Sequence, residues 1–582
     1  MNALIVGGGI SGISAAKVIL KEGHHVTILE CAPEPGGLMA RIANCRVGFK
    51  TFFDEIRDNN NIDVITGTNI KSVDNIHDKY AVTTYNNKVI NADKIIITAG
   101  LIPYDPVEYK GKRVLTSLEY DALIDQRNGE LPDDFNKIGF VLCVGSRSKE
   151  YPLCSSVCCS YTIREIKWTL QRTKPEIKVF YNDLRFFGQE FYMEKIYRDA
   201  GVTFIRANSR YFEEDENGVT IRYYTGDALK EERFDYVVLG IGLRPNPQLV
   251  TLSRLFGFSL NEYGFVKEET PLTTDAKGIY VSGGSLEPMN IKDAILTGFG
   301  AGMLALRGED LPSEISRNNE KIYKEPEPVF TEVAGDFSTC LFYLGTEDAG
   351  SAMFYEYVSA KFLDMARDFR RAGKNVYVLT KNMVMPSYGE LIYEKARREG
   401  ILFIHLEEGE TVSFEEGRAG ITGLKRELTI DADRVIRFDD YKDLFKNREF
   451  LSLYRSEPQL RWSPTKWGRK RYHAGFIRHP RAERWESREV LGALGEMLLD
   501  VEEERVLPEV NEERCSGCGS CKSACPQNAI EINIQKKAVS IFGPQTSSDI
   551  PMAHINEDIC TGCGLCASTC PSDVINITPL GS

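Results

Sequence analysis

Most of the fifteen cysteines of this chain lie in three short stretches. Two of the stretches, "CSGCGSCKSACP" and "CTGCGLCASTCP", share the spacing C-x2-C-x2-C-x3-C-P. Thiolates at this spacing are typical of proteins that bind two [4Fe-4S] clusters, where the fourth cysteine of each run binds the other cluster. Zinc motifs do not take this paired form. The predicted ligand sets are Cys515, Cys518, Cys521 and Cys570 for one cluster, and Cys560, Cys563, Cys566 and Cys525 for the other.

The N-terminal stretch "NALIVGGGISG" carries the pattern G-x-G-x-x-G directly after an apolar strand. In this pattern the first glycine makes a tight turn, the second lets the backbone approach a pyrophosphate, and the third packs the helix on the sheet. The helix N-terminus faces the phosphates. A carboxylate about 20 residues further on binds the ribose hydroxyls. The dinucleotide site predicted here comprises Gly7, Gly9, Ser11, Gly12 and Glu30.

Three further stretches favour FAD over NAD as the dinucleotide. "PGGLMARI" resembles the segment beneath the flavin in flavoproteins with two dinucleotide domains, and "KIIITAG" resembles their strand that ends in an Ala-Gly turn. "GIYVSGGSLEP" resembles the late strand that approaches the ribityl chain, although Gly284 stands where an aspartate is usual. The alternative is that these are only turns of the sheet. The predicted contacts are Gly36, Gly37, Leu38, Ala99, Gly100, Gly283, Gly284 and Ile291.

The third cysteine-rich stretch, "GFVLCVGSRSKEYPLCSSVCCSY", lies where a second dinucleotide domain would have its glycine loop. Only Gly145 follows the strand "KIGFVLCVG", so pyrophosphate binding is poorly supported. The four cysteines allow three interpretations: a redox disulfide that serves the flavin, buried structural thiols, or a [4Fe-4S] cluster. No C-x-x-C motif is present to favour the disulfide. The residues concerned are Cys143, Cys154, Cys158 and Cys159.

The combination "CVGSR … CSSVCC" after an FAD fingerprint resembles the HdrA family, the A subunits of heterodisulfide reductases, as does "GGSLEPMNIKDAI". The resemblance covers roughly residues 1–310 and the C-terminus. It implies a thioredoxin-reductase-like flavoprotein with an unusual cluster on Cys143, Cys154, Cys158 and Cys159. It also implies partner subunits that reduce a disulfide or another terminal acceptor, and electron bifurcation at the flavin.

The sequence departs from the family pattern near its N-terminus. The chain begins directly at the flavin fingerprint, without the extension usual in the family, and only Cys45 follows the "GG" motif where many members have several cysteines. With fewer clusters than many family members, the chain has fewer routes by which electrons can leave the flavin, which counts against bifurcation. Related flavoproteins of the quinone-interacting complexes of sulfate reducers and of benzoyl-CoA reductase complexes share the same core, and both stay open here.

Residues from about 335 to 440 echo the second dinucleotide domain. "FSTCLFYLG" parallels "IGFVLCVG", which puts Cys340 at the position of Cys143. The other three cysteines have no counterparts, so this copy is predicted to lack a cofactor and to serve in scaffolding or docking. The basic, tryptophan-containing stretch 461–485 follows. It is expected to meet a partner or to pack within the chain rather than to bind nucleic acid.

Composition limits the partners and the location of the protein. The formal net charge is -13, which does not indicate nucleic-acid binding. No apolar run is long enough to span a bilayer, so no membrane span is expected. Cysteines at this density in a reducing compartment indicate metal or redox chemistry, and a cytoplasmic location is expected.

Together these patterns predict an α/β, thioredoxin-reductase-like flavoprotein with a degenerate second α/β domain and a C-terminal α+β dicluster ferredoxin domain. The predicted function is electron transfer between FAD and three [4Fe-4S] clusters and on to partner subunits. The expected partners are redox subunits similar to the B and C subunits of heterodisulfide reductase, or a subunit that donates electrons. A homodimer is compatible with this. The alternative is a stand-alone NAD(P)H-dependent disulfide or ferredoxin oxidoreductase. The predicted divisions are 1–104 and 245–315 for FAD, 105–244 for the cluster-bearing domain, 325–500 for the repeat and docking segment, and 505–582 for the ferredoxin domain.

Overall fold

The computed structural model of the 582-residue chain describes most of its residues. The described ranges are 1–76, 79–109, 111–127, 131–186, 193–207, 210–225, 228–308, 316–317, 320–325, 336–345, 354–415, 417–423, 426–441, 466–467, 471–475, 483–499, 508–511, 515–525, 529–539, 546–556, 566–567, 570 and 574–577.

The part of the chain up to residue 308 contains eighteen strands and eight α-helices among its described residues. The strands are β1 (Asn2–Val6), β2 (His25–Leu29), β3 (Ile62–Ile65), β4 (Ile70–Ile76), β5 (Lys79–Thr84), β6 (Val89–Ala92), β7 (Lys94–Ile97), β8 (Leu101–Pro103), β9 (Val114–Thr116), β10 (Lys137–Val144), β11 (Glu176–Tyr181), β12 (Thr203–Arg206), β13 (Arg210–Asp215), β14 (Gly218–Thr225), β15 (Ala228–Phe234), β16 (Tyr236–Ile241), β17 (Leu243–Pro245) and β18 (Ile279–Val281). The helices are α1 (Ile10–Lys21), α2 (Gly37–Arg41), α3 (Ala43–Arg57), α4 (Ser117–Gln126), α5 (Cys158–Arg172), α6 (Met193–Asp199), α7 (Gln248–Phe256) and α8 (Ile291–Arg307).

The remaining described residues form shorter groups of elements. Between residues 316 and 499 these are β19 (Ser316–Arg317), β20 (Glu320–Glu325), β21 (Thr339–Leu344), α9 (Tyr355–Arg371), β22 (Asn375–Thr380), α10 (Gly389–Arg398), β23 (Leu402–His405), β24 (Thr411–Glu415), β25 (Arg418–Thr422), β26 (Glu427–Asp431), β27 (Arg434–Arg437), β28 (Lys466–Trp467), β29 (Arg471–Gly475) and α11 (Glu483–Leu499). The C-terminal group is β30 (Pro508–Val510), α12 (Ser520–Ala524), β31 (Ile530–Val539), β32 (Thr546–Ile555) and β33 (Ile575–Ile577).

The first sheet has the strand order β18-β7-β1-β2-β3, and all of its pairings are parallel. Its central strand β1 reads as a continuous apolar run because helices cover both faces of a parallel sheet. Leu4 and Ile5 are accordingly fully buried. A small antiparallel sheet of β4, β5 and β6 is attached to it. This architecture places the carboxyl ends of β1, β2 and β7 along one edge.

The second sheet has the order β12-β11-β10-β16-β9, again parallel, and carries the antiparallel sheet β13-β14-β15. The chain enters and leaves this region through β8 and β17, which pair with each other in antiparallel fashion. These two sheets confirm the predicted thioredoxin-reductase-like α/β fold class.

Residues 336–441, called the second copy below, repeat the topology of the second sheet. Their parallel sheet has the order β23-β22-β21-β27 and carries the antiparallel sheet β24-β25-β26. Strand β21 therefore corresponds to β10, and Cys340 lies in it, fully buried. Burial raises the pKa of the Cys340 thiol to about 12. A neutral, buried thiol behaves as a small apolar side chain.

The basic stretch 461–485 lies largely outside the described residues. Its strand β29 pairs in parallel with β20, and the side chain of Trp485 at the start of α11 is buried. Among the described residues, no helix is both long and apolar enough to cross a membrane.

Helices α1, α8 and α11 pack at close range through small residues. A Cβ atom on Gly298 of α8 would lie 2.4 Å from the carbonyl oxygen of Ser11, and one on Gly495 of α11 would lie 2.4 Å from the carbonyl oxygen of Phe299. Arg488 of α11 is buried and pairs with Glu268 and Glu287. Helix α11 is thereby fixed to the helix that closes the first sheet.

We expect Gly495→Val to lower the free energy of unfolding by about 1–3 kcal/mol, because α11 must move away from α8 to accommodate the side chain. Thermal unfolding followed by circular dichroism measures the change. Ser487→Ala, on the exposed face of the same helix, is the control and should leave the midpoint unchanged. Equal midpoints for the two variants would contradict the close packing.

Candidate flavin and iron-sulfur site

A cavity of about 1100 Å³ lies at the carboxyl edge of the first sheet. This is the edge at which parallel α/β sheets bind their ligands. Most of the residues predicted from sequence to bind the cofactor line it, namely Gly7, Gly9, Ser11, Glu30, Gly36, Gly37, Leu38, Ala99, Gly100, Gly284 and Ile291. Gly12 and Gly283 do not line the cavity. A Cβ atom on Gly12 would lie 2.2 Å from the carbonyl oxygen of Gly7, so Gly12 serves close packing of α1 against the loop.

The N-terminus of α1 faces this cavity without a competing side chain. Gly9 is the N-cap residue, no side chain caps the helix, and its first turn contains no acidic residue. A Cβ atom on Gly9 would meet no atom within 4 Å. Free amide groups and the positive end of the helix dipole favour an anion here. The residues present therefore fit the pyrophosphate of a dinucleotide.

Glu30 lies at the end of β2 with its carboxylate buried. Its Oε2 atom accepts a hydrogen bond of 2.8 Å from the Gly8 amide, and its Oε1 atom accepts one of 2.8 Å from the Ala32 amide. The carboxylate thus ties the glycine loop to the end of β2. It lines the cavity at the position predicted for ribose recognition.

The structure adds residues to the cavity that sequence patterns did not identify as contacts. Arg164 of α5 donates a hydrogen bond from Nη1 to Sγ of Cys45 at 3.3 Å, and both residues line the cavity. Asn246 donates from Nδ2 to the carbonyl oxygen of Ala99 at 2.8 Å. No local signal in the sequence pairs Cys45 with Arg164. Cys31 also lines the cavity, next to Glu30.

Cys158 lines this cavity. It belongs to the group of four cysteines Cys143, Cys154, Cys158 and Cys159, called the thiol site below. Cys143 interrupts β10 with a left-handed φ of 63°, at a point where the pairing of β10 with β16 shifts register. Cys158 and Cys159 begin α5, and Cys154 lies in the preceding loop. The thiols of Cys154, Cys158 and Cys159 are all buried.

The thiols of this site interact directly. Cys158 is hydrogen-bonded to the Cys143 and Cys159 thiols; the bond with Cys143 lowers the pKa of Cys158, but Cys159 and burial hold it well above its ordinary value. The amide of Ser156 donates to Sγ of Cys154 at 3.4 Å. The N-terminus of α5 favours thiolates over thiols. Four cysteines in one place, two of them at a helix N-terminus, are a donor set that suits an iron-sulfur cluster.

No three His, Cys, Asp or Glu side chains within the described ranges are arranged around a single metal ion.

Residues 145–157, called the cysteine loop below, connect β10 to α5, the position at which a second dinucleotide domain has its glycine loop. Leu153 and Ser155 of this loop are fully buried. Ser155 accepts a hydrogen bond of 2.8 Å from the Leu243 amide, and a Cβ atom on Gly145 would lie 2.2 Å from the ring of Tyr104. Space that a glycine loop leaves open to phosphate is thus occupied by packed side chains.

In the C-terminal tail, one of the two predicted ligand sets surrounds a small common cavity. Its lining includes Cys515, Cys518, Cys521 and Cys570. The Ala553 amide donates to Sγ of Cys515 at 3.5 Å, the type of contact that tunes cluster potentials. The antiparallel pairing of β30 with β33 brings the two ends of the tail together.

For the second set, Cys525 and Cys566 belong to the same apolar cluster of the tail as Cys515, Cys521 and Cys570 of the first set. The Ala529 amide donates to Sγ of Cys525 at 3.3 Å. Cys560 and Cys563 lie outside the described residues, so their placement as ligands stays a prediction.

Comparison with known proteins identifies both ends of the chain. Residues 1–119 match the family described as pyridine nucleotide-disulphide oxidoreductase, and residues 514–574 match the 4Fe-4S dicluster domain. The first match implies FAD and the second implies [4Fe-4S] clusters, as the sequence motifs predicted.

The chain is also similar to curated proteins of methanogenic archaea. It is 31% identical over 240 residues to the A subunit of the H(2):CoB-CoM heterodisulfide,ferredoxin reductase of Methanothermobacter marburgensis, over 36% of either chain. It is 25% identical over 427 residues to the iron-sulfur A subunit of the CoB--CoM heterodisulfide reductase of Methanocaldococcus jannaschii, over 52% of this chain and 63% of that protein. The matched part thus spans less than two thirds of either relative.

Among solved structures, thioredoxin reductase of Lactococcus lactis matches 53% of this chain and 98% of its own length, with 16% identity and a TM-score of 0.40. Thioredoxin reductase of T. acidophilum matches 52% of this chain and 96% of its own, with 20% identity and a TM-score of 0.39.

The two family matches define the class of protein: an oxidoreductase that joins a flavoprotein fold to a dicluster iron-sulfur domain. Within this class, the chain is an FAD and iron-sulfur protein similar to the A subunits of heterodisulfide reductases. The resemblance found in the motifs is confirmed.

We expect Gly9→Val to weaken FAD binding at least tenfold, a change of about 1.4 kcal/mol. The backbone at Gly9 is extended, with φ of -80° and ψ of -178°, so valine fits the fold while its side chain fills the space before α1. Titration of the apoprotein with FAD measures the affinity. Gly9→Ala should show a smaller loss, and unchanged affinity in both variants would contradict the assignment of the cradle.

Proposed function

We propose that the chain transfers electrons between FAD and [4Fe-4S] clusters as one subunit of a larger, heterodisulfide-reductase-like complex. The observation that carries the proposal is the position of Cys158, which lines the cavity and is hydrogen-bonded to Cys143 and Cys159. FAD exchanges two electrons, whereas [4Fe-4S] clusters pass them singly. Cys158 thus belongs to both the cavity lining and the thiol site, and this proximity supports direct electron exchange.

In this proposal, the residues of the first sheet bind and orient the dinucleotide. The amides of the loop from Gly7 to Gly9 and the N-terminus of α1 would donate hydrogen bonds to the pyrophosphate. The Glu30 carboxylate would accept hydrogen bonds from the ribose hydroxyls. Gly36, Gly37 and Leu38 support the flavin end, together with Gly284 and Ile291 from the returning part of the chain. Gly12 and Gly283 contribute through packing of the loops that these residues form.

The proposed count of clusters is three. Cys143, Cys154, Cys158 and Cys159 hold the one beside the cavity. The tail holds two, on the sets that begin with Cys515 and Cys560. Cys154, Cys158 and Cys159 at the thiol site and Cys521 and Cys566 in the tail are buried, which limits contact of these proposed ligands with water. The predicted division into FAD, cluster-bearing, repeated and ferredoxin parts belongs to the same proposal.

The partners are proposed from the relatives, whose names describe subunits of multi-subunit reductases. We propose other redox subunits as donor and acceptor and a cytoplasmic complex, and a homodimer is compatible with it. Electron bifurcation is no part of this proposal, because the contacts of the described residues link the cavity to one thiol site.

A stand-alone NAD(P)H-dependent reductase is disfavoured by the cysteine loop. Such an enzyme needs a nucleotide beside β10, where the glycine loop is missing and Leu153 and Ser155 are buried. This supports the proposal that the second sheet does not bind a hydride donor. Electrons are proposed to reach the flavin through iron instead.

We expect serine substitution of any one of the four thiol-site cysteines to lower the iron content from about twelve to about eight atoms per chain, four for each cluster. The FAD content should stay unchanged. Iron and flavin assays on anaerobically purified protein measure both. Cys340→Ser is the matched control, because Cys340 lies buried at the corresponding point of the second copy. Unchanged iron in the thiol-site variants would contradict the proposed cluster.

We expect NADH and NADPH to leave the flavin absorbance of the purified chain unchanged over seconds of stopped-flow mixing, because the cysteine loop occupies the nucleotide position. Dithionite should bleach the same sample and serves as the control. Rapid bleaching by either nicotinamide would favour the stand-alone reductase.

A further inference from the structure

A loop of the second copy, residues 383–388, lies against the loop that carries Cys154 and is called the covering loop below. The Cys154 amide donates a hydrogen bond of 3.4 Å to the carbonyl oxygen of Ser387. The ring of Tyr388 packs against Phe265, and its hydroxyl accepts a hydrogen bond of 2.6 Å from Nδ2 of Asn261. The covering loop thus reaches both the cysteine loop and the returning part of the first domain.

Beside this contact lies a network of buried charges that joins the second copy to the second sheet. The Oε2 atom of Glu390 lies 3.0 Å from Nε of Arg147 and also pairs with Arg185. Arg147 pairs in addition with Asp183, at 2.7 Å between Nη2 and Oδ2. The side chains of these four residues are each less than a tenth exposed: 7% for Arg147, 2% for Arg185, 8% for Glu390 and 4% for Asp183.

The two arginines lie next to a cysteine of the thiol site. The Arg147 amide donates to the carbonyl oxygen of Leu153 at 3.1 Å, one residue before Cys154. Arg147 itself adopts a left-handed φ of 52°, so the backbone is strained to hold it there. Arg185 also lies within the range of electrostatic interaction with the Cys154 thiol.

Arg185 has more donors than its partner uses. Its Nε, Nη1 and Nη2 atoms are buried and make no hydrogen bond to any residue that the structure describes. Its ion pair with Glu390 supplies one opposite charge. Burial of a guanidinium group is costly unless further negative charge is close, and the neighbouring thiol site provides it when its cysteines are thiolates.

The network also carries an excess of positive charge. Arg206, which is one-fifth exposed, contributes a third guanidinium group, with its Nη1 atom 3.1 Å from Oδ1 of Asp183. Burial alone would raise the pKa of Asp183, but Arg147, His405 and Arg206 hold it well below its ordinary value, so this carboxylate stays ionised. Three arginines thus face two carboxylates, in a region where low polarity strengthens each interaction.

We propose that the second copy sets the reduction potential of the thiol site: Glu390 and the covering loop hold Arg147 and Arg185 against Cys154, and the two guanidinium groups offset the negative charge of the four thiolates and of the added electron. This inference rests on the proposed cluster at the thiol site. It gives the cofactor-free copy an electrostatic role, since net charge and solvent exposure are among the factors that set cluster potentials.

The test is a potentiometric titration of the anaerobic full-length chain, followed by electron paramagnetic resonance. Cys159→Ser first identifies which signal belongs to the thiol site. Arg185→Met should then make reduction of that cluster at least tenfold less favourable, which is about 59 mV for a one-electron couple. Arg185→Lys should restore most of the loss because it restores the charge. The tail clusters should not shift in either variant.

Arg367→Met is the matched control, because Arg367 pairs with Glu399 at 2.8 Å, at the opposite end of α10 from Glu390. It should leave all potentials unchanged. If the Arg185→Met variant loses the thiol-site cluster, the Arg185→Lys variant distinguishes the two explanations. A cluster retained in Arg185→Lys supports the role of the charge, and a cluster lost in both variants contradicts it. A cluster that is present but unshifted in Arg185→Met overturns the inference and leaves the proposed function intact. If the Cys159→Ser variant shows every signal of the wild-type chain, the proposed function itself is overturned.

Discussion

The interruption of β10 at Cys143 is the constraint on which the rest of the site depends. A left-handed residue and a register shift end the regular strand there, and the chain then needs residues 145–157 to reach α5. Ser146, Tyr151, Leu153, Cys154 and Ser155 of this segment are buried. The cysteines at the start of α5 consequently lie at the cavity of the first sheet. A fold that usually brings two nucleotides together instead brings a dinucleotide cavity and a thiol site together.

Three of the four cysteines of the thiol site are buried, and burial of negative thiolates requires compensating positive charge from the surrounding structure. Cluster ligands must be thiolates, and burial disfavours that form. The N-terminus of α5 and the guanidinium groups of Arg147 and Arg185 supply compensating positive charge. The arginines are themselves costly to bury, and Glu390 of the second copy balances part of that cost. The second copy therefore contributes to the charge balance of the site, although it has no counterparts of three of the four cysteines.

Local patterns in the sequence predicted the parts of the site that lie close together along the chain. The glycine turn before α1, Glu30 after β2 and the paired tail cysteines follow from strand, helix and spacing rules, and most of the predicted cofactor residues line one cavity. The contact of Arg164 with Cys45, 119 residues apart, has no such signal. Nor does the pairing of Glu390 with Arg185. These contacts depend on how separate elements pack, which spacing within one element does not encode.

The central claim is that iron lies beside the flavin cavity, between the four cysteines of the thiol site. Anomalous diffraction at the iron absorption edge, on crystals of anaerobically purified protein, tests it most directly. The account predicts an iron peak enclosed by Cys143, Cys154, Cys158 and Cys159, next to density for FAD at Cys158, in addition to the iron of the tail. Iron confined to the tail, with free thiols or a disulfide beside the flavin, would contradict it.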